Sequence, residues 1–420
     1  MSSKKLLSLF SGCGGMDLGF EGNFSTFKVS VNTDLHNDWI EKDLGNKVIL
    51  KNTFFTSVFA NDINKYARLA WINYFSNFNY NEEIYHHDSI VNIINSFYDN
   101  KFKFPENVDI LTGGFPCQDF SLAGKRKGFL SAKSHDGTKL VGNNYLESRG
   151  NLYLWMIKAI EIVKPKIFIA ENVKGLVSLD QVKEKIVNDF RSINNNSYLI
   201  INPKILSAYE YGVPQMRKRI FFIGFLKSSL TNNALKELSK NNINHEFNPY
   251  PLKTHYLNYT PNLLPNNENH KKLRKAVTCH DIFSDLDEPD STSDESQRHF
   301  SKAKYLRNSS QGQTEIKMDR PGPTIRSEHH GNIEYRRLSS EHGGQNLAEL
   351  KRHLPERRLT VRECARIQTF PDEYQFVLKS KDNGIPPSEA YKVIGNAVPP
   401  LLAYNIAKNL ESKWSLLFKD

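Results

Sequence analysis

A chain of 420 residues, 39% hydrophobic and 24% charged, has the composition of an ordinary globular protein and is too long for one small core, so two domains are expected. The formal net charge of +10 favours a polyanionic partner. Four cysteines without CxxC spacing argue against a zinc site or a disulfide framework and fit a reducing cytosol.

The first strand-like run, residues 6–10, follows Lys4 and Lys5 in the manner of a secretion signal. It breaks at Gly12, however, and no apolar run approaches the roughly 20 residues that span a bilayer. A cytoplasmic protein without membrane contact is expected. Phe10, Ser11, Gly12, Cys13, Gly14 and Gly15 then form a glycine-rich turn opening a helix. Such a turn lets backbone N–H groups approach a ligand, or is simply tight. A dinucleotide fingerprint wants an acid about 20 residues on. Here the acid is Asp62, after the run at 58–60 and a long insertion at about 21–56. That disfavours a nicotinamide cofactor but leaves Asp62 free to hold a ribose hydroxyl.

Further runs at 108–111 and 167–170 are short and continuously apolar, as in parallel strands covered on both faces. Between the last two, Leu152, Trp155, Met156, Ala159, Ile160 and Val163 mark one face of a helix, which Pro165 ends. Strands alternating with helices predict βαβ crossovers and a doubly wound α/β sheet. Cys117 follows Pro116 just beyond one strand and Glu171 ends the next, at the edge where open sheets bind ligands. A nucleophile and a carboxyl group so placed suggest covalent catalysis with acid assistance, although Cys117 also fits a buried thiol and Glu171 a turn cap. Another strand is predicted at 220–223, preceded by Arg217 and Arg219. From about 226 to 357 the chain loses periodicity, holds most of the histidines, and carries an acidic stretch at 285–295. Order returns at 359–370, and residues 401–410 read as a closing helix.

Several blocks in fixed order now matter: FSGCGG at 10–15, AND ending in Asp62, HHDSI around Asp88, GGFPCQDFS at 113–121 and AENVKGL at 170–176. YGVPQMRKRIFFIG at 211–224, RRLTVRECARIQTFPDEY at 357–374 and IGNAVPP at 394–400 complete them. Together they resemble the DNA (cytosine-5) methyltransferases of bacterial restriction–modification systems, from residue 6 to about 410 apart from 226–357. The resemblance implies a Rossmann-like, S-adenosylmethionine-dependent catalytic domain at 1–225. It also implies a smaller, irregular target-recognition domain at 226–384, with 226–357 as its variable part, and a return to the first domain at 385–420.

It further implies a methyl transfer to C5 of cytosine in a short double-stranded DNA sequence, on a flipped-out base. Cys117 is the implied nucleophile and Glu171 the acid, with Arg219, beside Arg217, orienting the base. Phe10, Cys13, Gly14 and Gly15 would surround the methionine part of S-adenosylmethionine. Asp62 would hold the ribose and Asp88 the adenine amino group, while Leu152, Asn396 and Ala397 close the pocket. Gln118, Ser121 and the loop cations Lys125, Arg126 and Lys127 are expected against DNA. Arg326, Arg336 and Arg337 are candidate DNA contacts that could instead brace the small domain. Two departures stand out: Ile63 replaces an aromatic residue often found after the ribose acid, and Val361 a frequent proline.

The chemistry asks for these residue types. C5 of cytosine becomes nucleophilic only after a thiolate adds to C6, and a free thiol is roughly 3% thiolate at neutral pH. Protonation of N3 by Glu171 would assist, which needs a raised carboxyl pKa. A tRNA cytosine-5 methyltransferase is the rival reading, disfavoured because residues 367–370 lack the Cys-Phe-Thr block of that branch. A silent DNA-binding regulator should have lost the cysteine or the glutamate. A monomer without metal is expected, with a cognate restriction endonuclease as its functional partner.

Overall fold

The structure, a computed structural model, describes residues 3–78, 80–116, 151–178, 180–257, 272–307, 311–327 and 333–419. Strands β1 (Lys4–Leu9), β5 (Phe55–Asn61), β6 (Tyr85–His86), β7 (Ile110–Gly113), β8 (Ile167–Val173), β9 (Tyr198–Ser207) and β10 (Lys218–Leu226) form the central sheet. Among the described residues its order is β6-β5-β1-β7-β8-β10-β9. The first five strands in that order run parallel, whereas β10 is antiparallel to both its neighbours. The parallel part follows from side chains buried on both faces: Ile167, Phe168, Ile169 and Ala170 are all fully buried. Each large apolar side chain so buried contributes about 1.5–3 kcal/mol.

Helices α1 (Gly15–Glu21), α2 (Lys65–Phe75), α3 (Ile90–Tyr98), α4 (Leu152–Val163) and α5 (Asp180–Arg191) connect the strands. The predicted helix at 152–163 is α4, which buries Leu152, Trp155, Met156, Ala159 and Ile160 and ends at a left-handed Lys164 before Pro165. From β1 the chain moves outward to β5 and β6, then crosses back to β7 on the other side of β1. The crevice beyond the carboxyl ends of β1 and β7 is therefore a topological switch point, where such sheets bind ligands.

The insertion after α1 is a small antiparallel sheet of its own, β2 (Ser25–Phe27), β3 (Ile40–Asp43) and β4 (Lys47–Leu50), in the order β2-β4-β3. Past β10, helix α6 (Asn232–Leu238) and the chain to Tyr256 do not leave the first domain. Thr231 N–H donates to Leu417 O at 3.0 Å and the Tyr250 hydroxyl to Phe221 O at 2.9 Å. The packing changes only after the two-residue pair β11 (His255–Tyr256) and β12 (Arg274–Lys275).

Beyond it lie α7 (Cys279–Phe283), α8 (Glu295–Arg298), β13 (Tyr335–Arg337), α9 (Leu347–Lys351), β14 (Arg357–Arg358) and α10 (Val361–Ile367). This small unit has little sheet, and buried ion pairs hold much of it: Arg336–Glu349 at 2.5 Å, Arg337–Glu349 at 2.6 Å and Arg357–Glu363 at 2.9 Å. Helices α11 (Pro387–Asn396) and α12 (Pro400–Leu417) return to the sheet, where α12 packs along α1.

Candidate active site

The turn after β1 is built on three left-handed residues, Phe10, Gly12 and Gly14, at φ of 52°, 55° and 74°. Only glycine adopts this freely, so a phenylalanine there is strained backbone held by its surroundings. Those surroundings are visible. Gly12 N–H donates to Asp62 Oδ2 at 2.9 Å, Tyr85 OH to Gly12 O at 2.8 Å, and Tyr374 OH to Cys13 O at 2.5 Å. Gly15 starts α1 against the Val398 carbonyl, which a Cβ would meet at 2.2 Å. The contact brings the segment of Asn396 and Ala397 to the turn.

Asp62 follows β5. Burial raises its carboxyl pKa, against the N–H groups of Asn64 and Gly12 that lower it. Asn61 donates to the carbonyls of His86 and Asp88, at 2.9 and 2.8 Å, and so ties Asp88 to the same edge. Ile63, next to Asp62 in the chain, is 45% exposed, and its carbonyl lies 2.9 Å from His87 Nε2. A Cβ at Gly12 would meet nothing within 4 Å. Two carboxyl groups, an exposed apolar side chain and open space along a glycine turn suit a nucleoside: acceptors for a diol and an amino group, with an apolar surface for a ring. Leu152 and Ala397 are buried, and Asn396 is exposed.

On the other side of the switch point Glu171 lies near the carboxyl end of β8, only 7% exposed. Its neighbour across the sheet is β10, in the register Phe221 to Glu171 and Arg219 to Val173. That register sets Arg219 Nε 2.8 Å from Glu171 Oε1. The approach lacks hydrogen-bond alignment, and Oε1 has no hydrogen-bond partner among the described residues. Burial pushes the Glu171 carboxyl up, against the pull of Arg219 and Arg217. A Cβ on Gly114 would lie 3.2 Å from Glu171 Oε2, and Asn172 Nδ2 donates to Phe115 O at 3.1 Å. The segment before Cys117 is thus pinned beside the buried acid.

Cys117 itself, with Gln118, Ser121, Lys125, Arg126 and Lys127, lies outside the described residues. The other three cysteines are buried. Burial raises the thiol pKa of each, that of Cys279 to about 12. None of the three is poised to be a thiolate. Cys13 turns its sulfur toward Val393 O, at 3.7 Å, so only its backbone remains for a ligand at the turn.

Three of the arginine expectations meet opposing geometry. Arg217 is 1% exposed and donates to the carbonyls of Ile325 and Gly395, at 3.0 and 3.1 Å, so it ties the small unit and α11 to β10, while its charge also acts on Glu171. Arg337 is fully buried between Glu288 and Glu349, and Arg336 pairs with Glu349. As DNA contacts both would have to leave buried partners, and a buried pair broken on one side costs about 3–5 kcal/mol. The bracing alternative describes them. Arg326 differs: it bonds Gln311 and Glu334 but keeps a quarter of its side chain exposed.

Sequence reasoning passed over Gln215. It is fully buried, accepts from Ile325 N–H at 3.1 Å and donates to Gln368 Oε1 at 2.8 Å, while Gln368 donates to Ile394 O at 2.7 Å. The signal was a polar residue inside an apolar block, where only a hydrogen-bonded relay makes burial tolerable. Asn172 and Tyr374 were in quoted blocks too, but without assigned roles.

Fold and site together give an α/β protein with a glycine-rich turn, two acids and a buried carboxyl group at one sheet edge. The model of the family "C-5 cytosine-specific DNA methylase" matches residues 4–412. The chain belongs to that family and is a DNA (cytosine-5) methyltransferase. It is 29% identical over 431 residues to the type II methyltransferase M.BspRI of Lysinibacillus sphaericus, covering 99% of this chain and 83% of the relative. M.BsuRI of Bacillus subtilis is 30% identical over 429 residues, with 99% and 80% covered. Among solved structures, the Dnmt2 methyltransferase of S. pombe shares the fold at TM-score 0.54 and 16% identity, over 97% of this chain and 98% of that one. Among the described residues no helix is long and apolar enough to cross a membrane.

Proposed function

We propose that the enzyme methylates C5 of a flipped-out cytosine in a specific short duplex sequence through a covalent adduct on Cys117. The observation that carries this reading is the buried Glu171 carboxyl, 2.8 Å from Arg219 Nε and beside the pinned segment that leads to Cys117. S-adenosylmethionine, held by the turn from Phe10 to Gly15, Asp62 and Asp88 and closed by Leu152, Asn396 and Ala397, supplies an electrophilic methyl group.

The Cys117 thiolate adds to C6, and the electron pair of the 5,6 double bond becomes available at C5. Glu171 gives its proton to N3, so the ring does not carry the added charge, and Arg219 holds the carboxylate left behind. After C5 is methylated a base takes the C5 proton, that electron pair re-forms the 5,6 double bond as the S–C6 bond breaks and releases the Cys117 thiolate, and the N3 proton returns to the Glu171 carboxylate. Gln118, Ser121, Lys125, Arg126, Lys127 and Arg326 are assigned to DNA. Their cations suit phosphate contacts, which position the duplex without reading it. The biological role proposed is protection of host DNA from a cognate endonuclease, by a monomer.

Duplex DNA containing 5-fluorocytosine at the target tests the reading, because fluorine cannot leave C5 as a proton does. The wild-type protein should be trapped and mass spectrometry should place the adduct on Cys117. The Cys117→Ser variant should bind DNA without turnover. An adduct on Cys13, Cys279 or Cys364, methylation at N4 or on adenine, or strict dependence on tRNA would overturn it.

A further inference from the structure

The 22–52 insertion has no part in the chemistry above, yet it touches the chain at both places where the small unit joins the first domain. At the incoming side, Arg274 donates to Asp34 Oδ2 at 3.0 Å, to Thr33 Oγ1 at 2.7 Å and to Val31 O at 3.1 Å. Asn32 donates to the carbonyls of Thr254 and Lys272, both at 2.8 Å. At the outgoing side, Lys47 pairs with Asp372 at 2.5 Å and Ser25 Oγ donates to Glu373 at 2.9 Å. The Phe27 ring carries two cations, Lys47 at 5.3 Å and Arg366 at 5.1 Å. Arg366 in turn grips Asp372 at 2.6 Å and Asp285, in the small unit, at 2.5 Å.

The insertion is itself fixed to the first domain. Phe24 and Trp39 meet the Tyr404 ring of α12 edge-on at 5.8 and 5.3 Å, and Val48 and Leu50 are fully buried. Two connecting segments between packed units make a hinge, since they alone must absorb any rotation. Here one rigid element clamps both.

We infer that the insertion is a positioning strut: through Asp34–Arg274 and Lys47–Asp372 it sets the angle at which the small unit presents DNA to Glu171. Lys47 and Asp34 are positioning residues, and neither touches the site. Asp372 lies two residues before Tyr374, whose hydroxyl holds the Cys13 carbonyl of the cofactor turn. The inference rests on DNA being the substrate carried by the small unit.

The test is steady-state kinetics of the double variant Lys47→Met, Asp34→Asn on cognate and single-mismatch duplexes, beside direct measurement of S-adenosylmethionine binding. The KM for DNA should rise about fivefold or more and mismatch discrimination should fall, with kcat and cofactor affinity within about twofold of wild type. Lys47→Arg with Asp34→Glu should restore both. If the double variant does not fold, Asp34→Asn alone, at an exposed side chain, should show the same split to a smaller degree. Unchanged KM and discrimination, or losses shared equally by kcat and cofactor binding, would overturn the strut. A wild-type protein that methylates no DNA would remove the functional reading with it.

Discussion

Glu171 is asked to be a proton donor near neutral pH, which a carboxyl group in water is not. Burial supplies the shift, and the opposing pull of Arg219 and Arg217 keeps it from being larger. In the proposed mechanism the active form is the protonated one, so the rate should fall as pH rises through the raised pKa. A thiol that must ionise imposes a rising limb, and the product is a bell-shaped profile. Glu171→Gln should lower kcat by about 10²–10⁴ and remove the descending limb, because the amide has no proton to lose. Single-turnover rates across pH check this. A variant that keeps the descending limb would assign the acid role elsewhere.

At the scale of elements, α11 stands between the glycine-rich turn after β1 and the small unit. Its last residues reach the turn, while Gly395 receives the Arg326 backbone so closely that a Cβ would meet that carbonyl at 2.2 Å. The Gly395 carbonyl also accepts from Arg217. Gly395→Ala should therefore cost about 1–3 kcal/mol, the usual penalty of overpacking. The loss should appear as a lower urea midpoint together with weaker DNA binding, and unchanged stability would show that the small unit moves aside freely.

Elements also show what apolar runs leave out. The run at 220–223 is a strand, but nothing in four consecutive apolar residues says that β10 lies antiparallel between β8 and β9. Strand β9 went unread because Asn202, Pro203 and Lys204 interrupt it, and a proline is tolerated there because β9 is the sheet edge.

For the molecule as a whole, the boundary of the small unit decides how specificity could be moved. Composition places it at 226–357, but residues 226–256 pack on α12 and β10, through Asn409 to Pro249 O at 2.8 Å among other bonds. Transplanting 276–367 into a relative of known target should carry this protein's target, while a chimera that folds, methylates and keeps the recipient's own target would place the reading elsewhere.

By itself the sequence determined the α/β class, the order of the blocks, the family, and the candidates Glu171, Asp62 and Asp88. These depend on local signals: apolar runs, glycine turns, and residue types that one chemistry requires. Only the tertiary structure decided that Arg217, Arg336 and Arg337 are buried braces while Arg326 keeps an exposed face. A guanidinium looks the same in sequence whether its partner is a phosphate, a buried glutamate or a carbonyl far along the chain. The insertion shows the same limit. Its partners lie at Tyr404, Arg274, Arg366 and Asp372, and contacts over such separations leave no periodic trace in the segments that make them.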